Sequence, residues 1–228
     1  MTAIFTTGTD TGAGKTFVTA ALAAASVNDG FRTKVRKPLL SGVDEPTGSG
    51  PEHDHHLLAA AVRHSETAEV IAPLRFGPAV SPHLAAAQAG VEIDTDTLVA
   101  DIRAAASGCD RLIVEGAGGW RVPISGALGF RELAVELGYP VVIAARPGLG
   151  TINHSLLTIE SVRAAGLDVR CVVFGPLGSA PSPMETDNIE TVSQLGEVPV
   201  AVLPFIDHND HGAFVAAGST MPLDSIFA

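Results

Sequence analysis

Along this chain of 228 residues, short apolar runs alternate with longer stretches in which apolar positions recur at helical spacing. The runs predict strands at Thr2–Thr7, Thr33–Lys37, Arg111–Glu115, Val141–Ala145, Val169–Phe174 and Val198–Leu203. Three of them, LIVEG, VVIAA and CVVFG, are continuously apolar, the pattern of strands covered on both faces. Helices are predicted at Lys15–Asn28, His53–Arg63, Pro82–Ala89, Asp96–Ala106, Phe130–Leu137, Ile152–Ala165 and Met184–Leu195. Repeated strand–helix–strand units imply an α/β fold with a doubly wound, mainly parallel sheet and helices on both faces. The stretch PLLSGVDEPTGSGPEHDHH, residues 38 to 56, reads as a loop leading into a helix and is too short for a domain linker. One domain over residues 1–228 is therefore expected.

Composition narrows the function classes. Hydrophobic residues make up 46% of the chain, yet no apolar run approaches the length of a membrane span. The opening MTAIFTTGTD reads as a first strand rather than a signal peptide, so a cytoplasmic protein without a membrane partner is expected. A formal net charge of −11 gives no footprint for nucleic acid. Cys109 and Cys171 are isolated from each other, which excludes a disulfide framework and paired-cysteine metal sites.

In a sheet of this kind ligands bind beyond the carboxyl ends of the strands, so the residues just after each run matter most. After the first comes GTDTGAGKT, then an apolar helix. Its Gly-Lys-Thr ending fits a P-loop, although five residues rather than four separate Gly8 from Gly14. Backbone N–H groups of such a loop wrap a polyphosphate; Lys15 would reach the outer phosphates and the Thr16 hydroxyl would ligate Mg²⁺. After the second run stand Lys37, ambiguous by itself, and Pro38, which ends ladder pairing. In EHDHH, adjacent residues diverge around a helix, so the three histidines read as a solvated helix start and Asp54 as a single carboxylate for Mg²⁺. Glu115 ends the LIVE run in the position of a Walker-B-type acid, and Gly118 and Gly119 allow close backbone approach. Near Thr151 a helix start following Gly148 and Gly150 could bind a carboxylate or be an ordinary cap.

In order, GTDTGAGKT, KPLLSG, the aspartate of EHDHH, SPHLAAAQAG, VEGAGGW and LGTINHSLLT resemble the motifs of the dethiobiotin synthetases, a family of P-loop type. The likeness runs to about residue 165 and includes the longer loop spacing. It implies ATP-dependent closure of a ureido ring from 7,8-diaminononanoate and CO₂, through a carbamate and a carbamic–phosphoric anhydride. Lys37, Lys15 and Thr11 would be catalytic. Nucleotide contacts would come from Gly12, Ala13, Gly14, Lys15, Thr16 and Phe17, from Asp54 and Glu115 to Gly118 (with Gly116 and Ala117), and from Gly175, Pro176, Pro204, Phe205 and Ile206. Thr11, Lys37, Ser41, Gly118, Gly150, Thr151 and Asn153 would contact the diamine, the last three across a homodimer. Thr16, Asp54 and Glu115 would hold Mg²⁺.

Two departures from the family stand out. Gly12 replaces an acidic or another small residue. Gly175-Pro176 replaces an Asn-Asp that some members direct at the adenine edge, which predicts weaker selectivity for ATP. A cobyrinate a,c-diamide synthase would need a further glutamine-hydrolysing domain. A partitioning-type nucleotide switch is the alternative from another class; it usually carries a lysine near Asp10 and a basic or amphipathic surface.

Overall fold

The computed structural model describes residues 1–45, 53–126, 128–178 and 180–228. In chain order the first elements are β1 (Thr2–Gly8), α1 (Lys15–Asn28), β2 (Thr33–Arg36), β3 (Leu39–Ser41), α2 (Asp54–Ala61), α3 (Ala68–Ile71) and β4 (Leu74–Phe76). There follow α4 (Pro82–Ala89), α5 (Thr95–Ser107), β5 (Arg111–Glu115), β6 (Pro123–Ser125), β7 (Leu128–Gly129), α6 (Phe130–Leu137) and β8 (Val141–Ala145). The chain ends with α7 (Thr151–Ala164), β9 (Val169–Leu177), α8 (Pro183–Gly196), β10 (Val200–Pro204), α9 (His211–Ser219) and α10 (Leu223–Ile226).

Six strands form one parallel sheet in the order β10-β9-β8-β1-β5-β2. Successive side chains leave opposite faces of a strand, and the core divides accordingly. Phe5, Leu112, Val114, Ile143 and Phe174 pack on one side with residues of α5, α6, α7 and α8. Ile4, Ile113, Val142, Ala144 and Val173 pack on the other with α1, α2 and α9. Helices therefore cover both faces, as the continuous apolar runs predict. The approach of α9 to α1 depends on Gly218, where a Cβ would overlap the Ala21 carbonyl oxygen.

The six strands and seven helices expected from the pattern are all present, some with shifted ends. β2 stops at Arg36, one residue before the expected end, and the Lys37 N–H donates to the Ile71 carbonyl at 2.8 Å instead of to the sheet. Past Pro38 the chain enters a second, two-stranded sheet, β3 with β4. β9 continues to Leu177, beyond the expected Phe174, and there it bulges. Val202 faces Phe174 and Pro204 faces Leu177, so Gly175 and Pro176 together oppose Leu203.

Candidate active site

β1 is central, so the loop after it lies at the middle of the sheet's carboxyl edge, between the ends of β5 and β8. Gly12 and Gly14 have φ of 73° and 83°, values that favour glycine, and the loop turns at them into α1. Gly14 is the N-cap of α1 and no side chain caps that end, which leaves the first turn's N–H groups to the loop cavity. Lys15 is 7% exposed and folds over its own loop, its Nζ donating to the Asp10 carbonyl at 3.3 Å. Burial lowers its pKa, with Glu115 opposing the fall and Lys37 adding to it.

Beside this loop stands a charged cluster. Lys37 Nζ donates to Asp54 Oδ2 at 2.5 Å and to Glu115 Oε1 at 2.7 Å, and lies 3.4 Å from Thr16 Oγ1. The Thr16 hydroxyl itself donates to Glu115 Oε1 at 2.9 Å. Glu115 is fully buried at the end of β5, paired in register with Thr6 of β1. Burial works against the charge on Lys37, but Asp54 and Glu115 outweigh it and its pKa stands above the ordinary lysine value. Partial burial likewise opposes ionisation of Asp54, yet the Lys37 ammonium holds its carboxyl below the usual range. The lysine that is ambiguous in sequence is thus a buried, charged group held by two carboxylates.

A cavity of about 380 Å³ joins these parts. From the loop and first turn it takes Thr11, Gly12, Gly14, Lys15, Thr16 and Phe17; opposite them stand Lys37, Leu40, Ser41 and Asp54, with Ala117, Gly118 and Pro176 closing it. Gly118, at φ 67°, comes so near that a Cβ would stand 3.6 Å from Thr11 Oγ1. Ala13 is fully buried, and a Cβ on Gly116 would touch Phe5 and Phe130 at 3.3–3.4 Å, so both support the loops from behind. Gly175 packs on the loop from the β9 side: a Cβ on Gly14 would stand 2.6 Å from its carbonyl oxygen. Past the bulge Phe205 is 63% exposed, whereas Ile206 is 2% exposed and belongs to the core. Gly150 caps α7 in a left-handed conformation, and Thr151 lines a separate cavity of about 190 Å³ that lacks Lys37. Asn153 lies in the first turn of α7, also outside the main cavity.

Three features escape the sequence reading. Arg146 donates to Asp10 Oδ2 at 3.2 Å; its place immediately after β8 was a usable signal. A second cavity of about 440 Å³ shares Thr11 with the first and is lined by Trp120, Val122 and Leu157. His208 sets its ring 4.9 Å from that of Phe17. One expectation is corrected: His55 is not part of a solvated helix start but 5% exposed. It shares a helix face with the buried Leu58 and Ala59, three and four residues on. Burial, with His56 and Arg75 adding to it, pushes its pKa down to about 4. Residues 46–52 of the loop before α2 lie outside the described residues.

The oxygen donors around Lys37 can be tested against a metal ion. Among the described residues no group of three or more His, Cys, Asp or Glu gathers to hold one. Two carboxylates and a hydroxyl do meet here, and Glu115 Oε2 is buried without a hydrogen-bond partner among the described residues. A small set of hard oxygen donors with an unmatched carboxylate oxygen fits Mg²⁺, which keeps waters and phosphate oxygens as its other ligands.

A parallel sheet with a glycine-turned phosphate loop after its central strand, a lysine at the helix start and an acid on the neighbouring strand defines a P-loop nucleotide-binding protein. A solved ParA family ATPase from Chlorobium tepidum shares the fold at a TM-score of 0.51 and 12% identity, covering 95% of this chain and 88% of that one. A family model described as an AAA domain matches residues 2–210. The ATP-dependent dethiobiotin synthetase BioD of Marinobacter nauticus is 37% identical over 212 residues, covering 90% of this chain and 89% of its own length. The chain belongs to the dethiobiotin synthetase family and is an ATP-dependent ligase.

Proposed function

We propose that this ligase acts in biotin biosynthesis, forming the ureido ring of dethiobiotin from 7,8-diaminononanoate and CO₂ with MgATP as co-substrate. The observation that carries the proposal is the position of Lys37. Its buried ammonium faces the same cavity as Lys15 of the phosphate loop and the hydroxyl-bearing Thr11 and Ser41. That arrangement suits the meeting of a terminal phosphate with an anionic acceptor. The relative's name supports ATP dependence and dethiobiotin as the product, and the diamine and CO₂ are what the family resemblance implies.

Three bond changes make up the reaction. One substrate amine takes up CO₂ and loses a proton, giving a carbamate. A carbamate oxygen then attacks the γ-phosphorus as the bond to ADP breaks, forming a carbamic–phosphoric anhydride. The second amine attacks the carbamoyl carbon, phosphate departs and the ring closes. In the middle step two anions must approach, so fixed positive charge and positioning provide most of the acceleration. Lys15 neutralises the outer phosphates, and Lys37 lies between them and the carbamate. The Thr11 and Ser41 hydroxyls, with the Gly118 N–H, orient the acceptor. Thr16, Asp54 and Glu115 hold Mg²⁺, which when bound supplies Lewis-acid neutralisation of phosphate oxygens. The start of α7, at Gly150, Thr151 and Asn153, receives the distal carboxylate across a homodimer, and the whole chain acts as one domain.

The test is incorporation of [¹⁴C]bicarbonate with 7,8-diaminononanoate and MgATP. Labelled dethiobiotin that is lost in Lys37→Gln is the expected result. Hydrolysis of ATP that needs neither diamine nor bicarbonate would instead mark a nucleotide switch and overturn the proposal.

A further inference from the structure

The Lys37, Asp54 and Glu115 cluster lies on the β5–β2 side of the phosphate loop, where the outer phosphates must point for the acceptor to reach them. The nucleoside therefore extends to the opposite side, toward the ends of β9 and β10. What meets it there is the bulge at Gly175-Pro176 and the turn after β10.

This end holds almost no free polar side chain. Gly175 has φ of 146°, and a Cβ on it would overlap the Leu203 carbonyl oxygen and stand 3.0 Å from the Leu203 Cβ. Its own carbonyl is pressed onto Gly14. No side chain fits at 175 while the bulge persists, and Pro176 has no N–H to offer. Beyond β10 the polar residues bond to one another and to the neighbouring backbone. Asp207 accepts from the Asn209 N–H at 2.9 Å and from its side-chain amide at 3.3 Å, while Asp210 caps α9 through the Ala213 N–H at 2.9 Å. Among the described polar side chains of this turn His208 alone makes no hydrogen bond to its neighbours, and it lies against the Phe17 ring. The exposed Phe205 offers a flat apolar face, and every base has a face to stack on it.

We infer that this enzyme holds the nucleobase by apolar contact without reading its edge, and so accepts purine and pyrimidine nucleoside triphosphates alike as phosphoryl donors. The inference rests on the ligase reading above, and it goes further by naming the donor class. Sites that hydrogen-bond a substrate's polar groups discriminate by about 10⁴–10⁵, whereas apolar pockets reach about 10–200-fold.

The experiment measures kcat/KM for MgATP, MgGTP, MgCTP and MgUTP in the bicarbonate-incorporation assay. In parallel, a fluorescent ADP analogue bound to the enzyme is displaced by each nucleoside diphosphate. We expect all four to lie within about a hundredfold of one another in both readouts, and His208→Ala to leave the spread unchanged. A preference for ATP beyond that range overturns the inference, and its collapse in His208→Ala would name the residue that reads the base. If no nucleotide supports incorporation while displacement is normal, the ligase reading fails, but the displacement spread still decides the base question.

Discussion

On one side of the phosphate loop Lys37 is 3% exposed and held by two carboxylates; past the Gly175-Pro176 bulge on the other side Phe205 is 63% exposed, its N–H bonded to the Leu177 carbonyl. The phosphate end is charged, buried and cross-linked by hydrogen bonds. The Phe205 side, where the base is proposed to lie, is open and sets an apolar ring beside the main-chain bulge. Both lie on the same sheet edge, so the fold does not account for the difference. Partnering does. A charge taken out of water must be matched, and matching fixes geometry, whereas apolar contact tolerates many shapes. The proposed function puts the chemistry where geometry is fixed, and the inference above puts tolerance of the nucleotide where it is not.

The strongest way to break the contrast is Lys37→Gln. Removing one electrostatic stabiliser of a transition state costs about 10²–10³ in kcat, and a loss of that size is expected in single-turnover bicarbonate incorporation. Retention of more than a tenth of the rate would deny Lys37 its place in the chemistry.

The same variant leaves the buried Glu115 without its ammonium. Removing one partner of a buried ion pair costs about 3–5 kcal/mol, and each kcal/mol is worth roughly 2–4 °C in a chain of this size. A fall in Tm of about 6–20 °C is expected in thermal scans without divalent cation. Added Mg²⁺ should recover part of it, and Mn²⁺ should bind more tightly than to the unmodified enzyme by equilibrium dialysis. Unchanged Mn²⁺ affinity would mean that Lys37 and the metal do not share the two carboxylates.

A smaller effect is expected from Gly175→Ala, which tests whether the base end is shaped by backbone. Overpacking costs about 1–3 kcal/mol, and the positive φ adds strain, so Tm should fall by several degrees. Nucleotide affinity should weaken with it, since the bulge presses on Gly14. A variant as stable as its parent would show that the bulge can relax and that a side chain at 175 is permitted.

Smallest of all is Phe205→Ala. Loss of an aromatic stacking face is worth about 0.5–1.5 kcal/mol, so binding should weaken up to about tenfold, and equally for all four nucleotides in the displacement assay. Weakening confined to ATP would contradict an end that does not read the base.

Much of this fold is legible in the residues. Short apolar runs, three of them continuous, mark the six sheet strands, and Lys15–Asn28, Pro82–Ala89 and Phe130–Leu137 match their predicted bounds. The misses are the elements too short to carry a period: β3, β4 and β6 span three residues each, β7 two, α3 and α10 four. α9, HGAFVAAGS, escapes because two glycines weaken its pattern, and its close contact with α1 is what makes Gly218 useful. His55 misleads for a related reason. A histidine beside two others resembles a polar cluster until the partner face of α2 is known.

By itself the sequence determines the phosphate loop. Strand, glycine turn, lysine and helix are consecutive, so local backbone preferences suffice to shape an anion site. It likewise determines that β5 ends in an acid and that β2 runs into a lysine. Only the tertiary structure decides that these meet. Lys37 and Glu115 are 78 residues apart, and Thr16 and Glu115 are 99 apart. They touch because β1, β5 and β2 pair in parallel and in register, which brings three carboxyl ends to one edge. The tertiary structure also decides that Gly175-Pro176 is a bulge against Leu203, a consequence of how β9 and β10 align rather than of either strand alone. Pairing across the sheet depends on register, and register is a property of two segments that no single stretch of sequence contains.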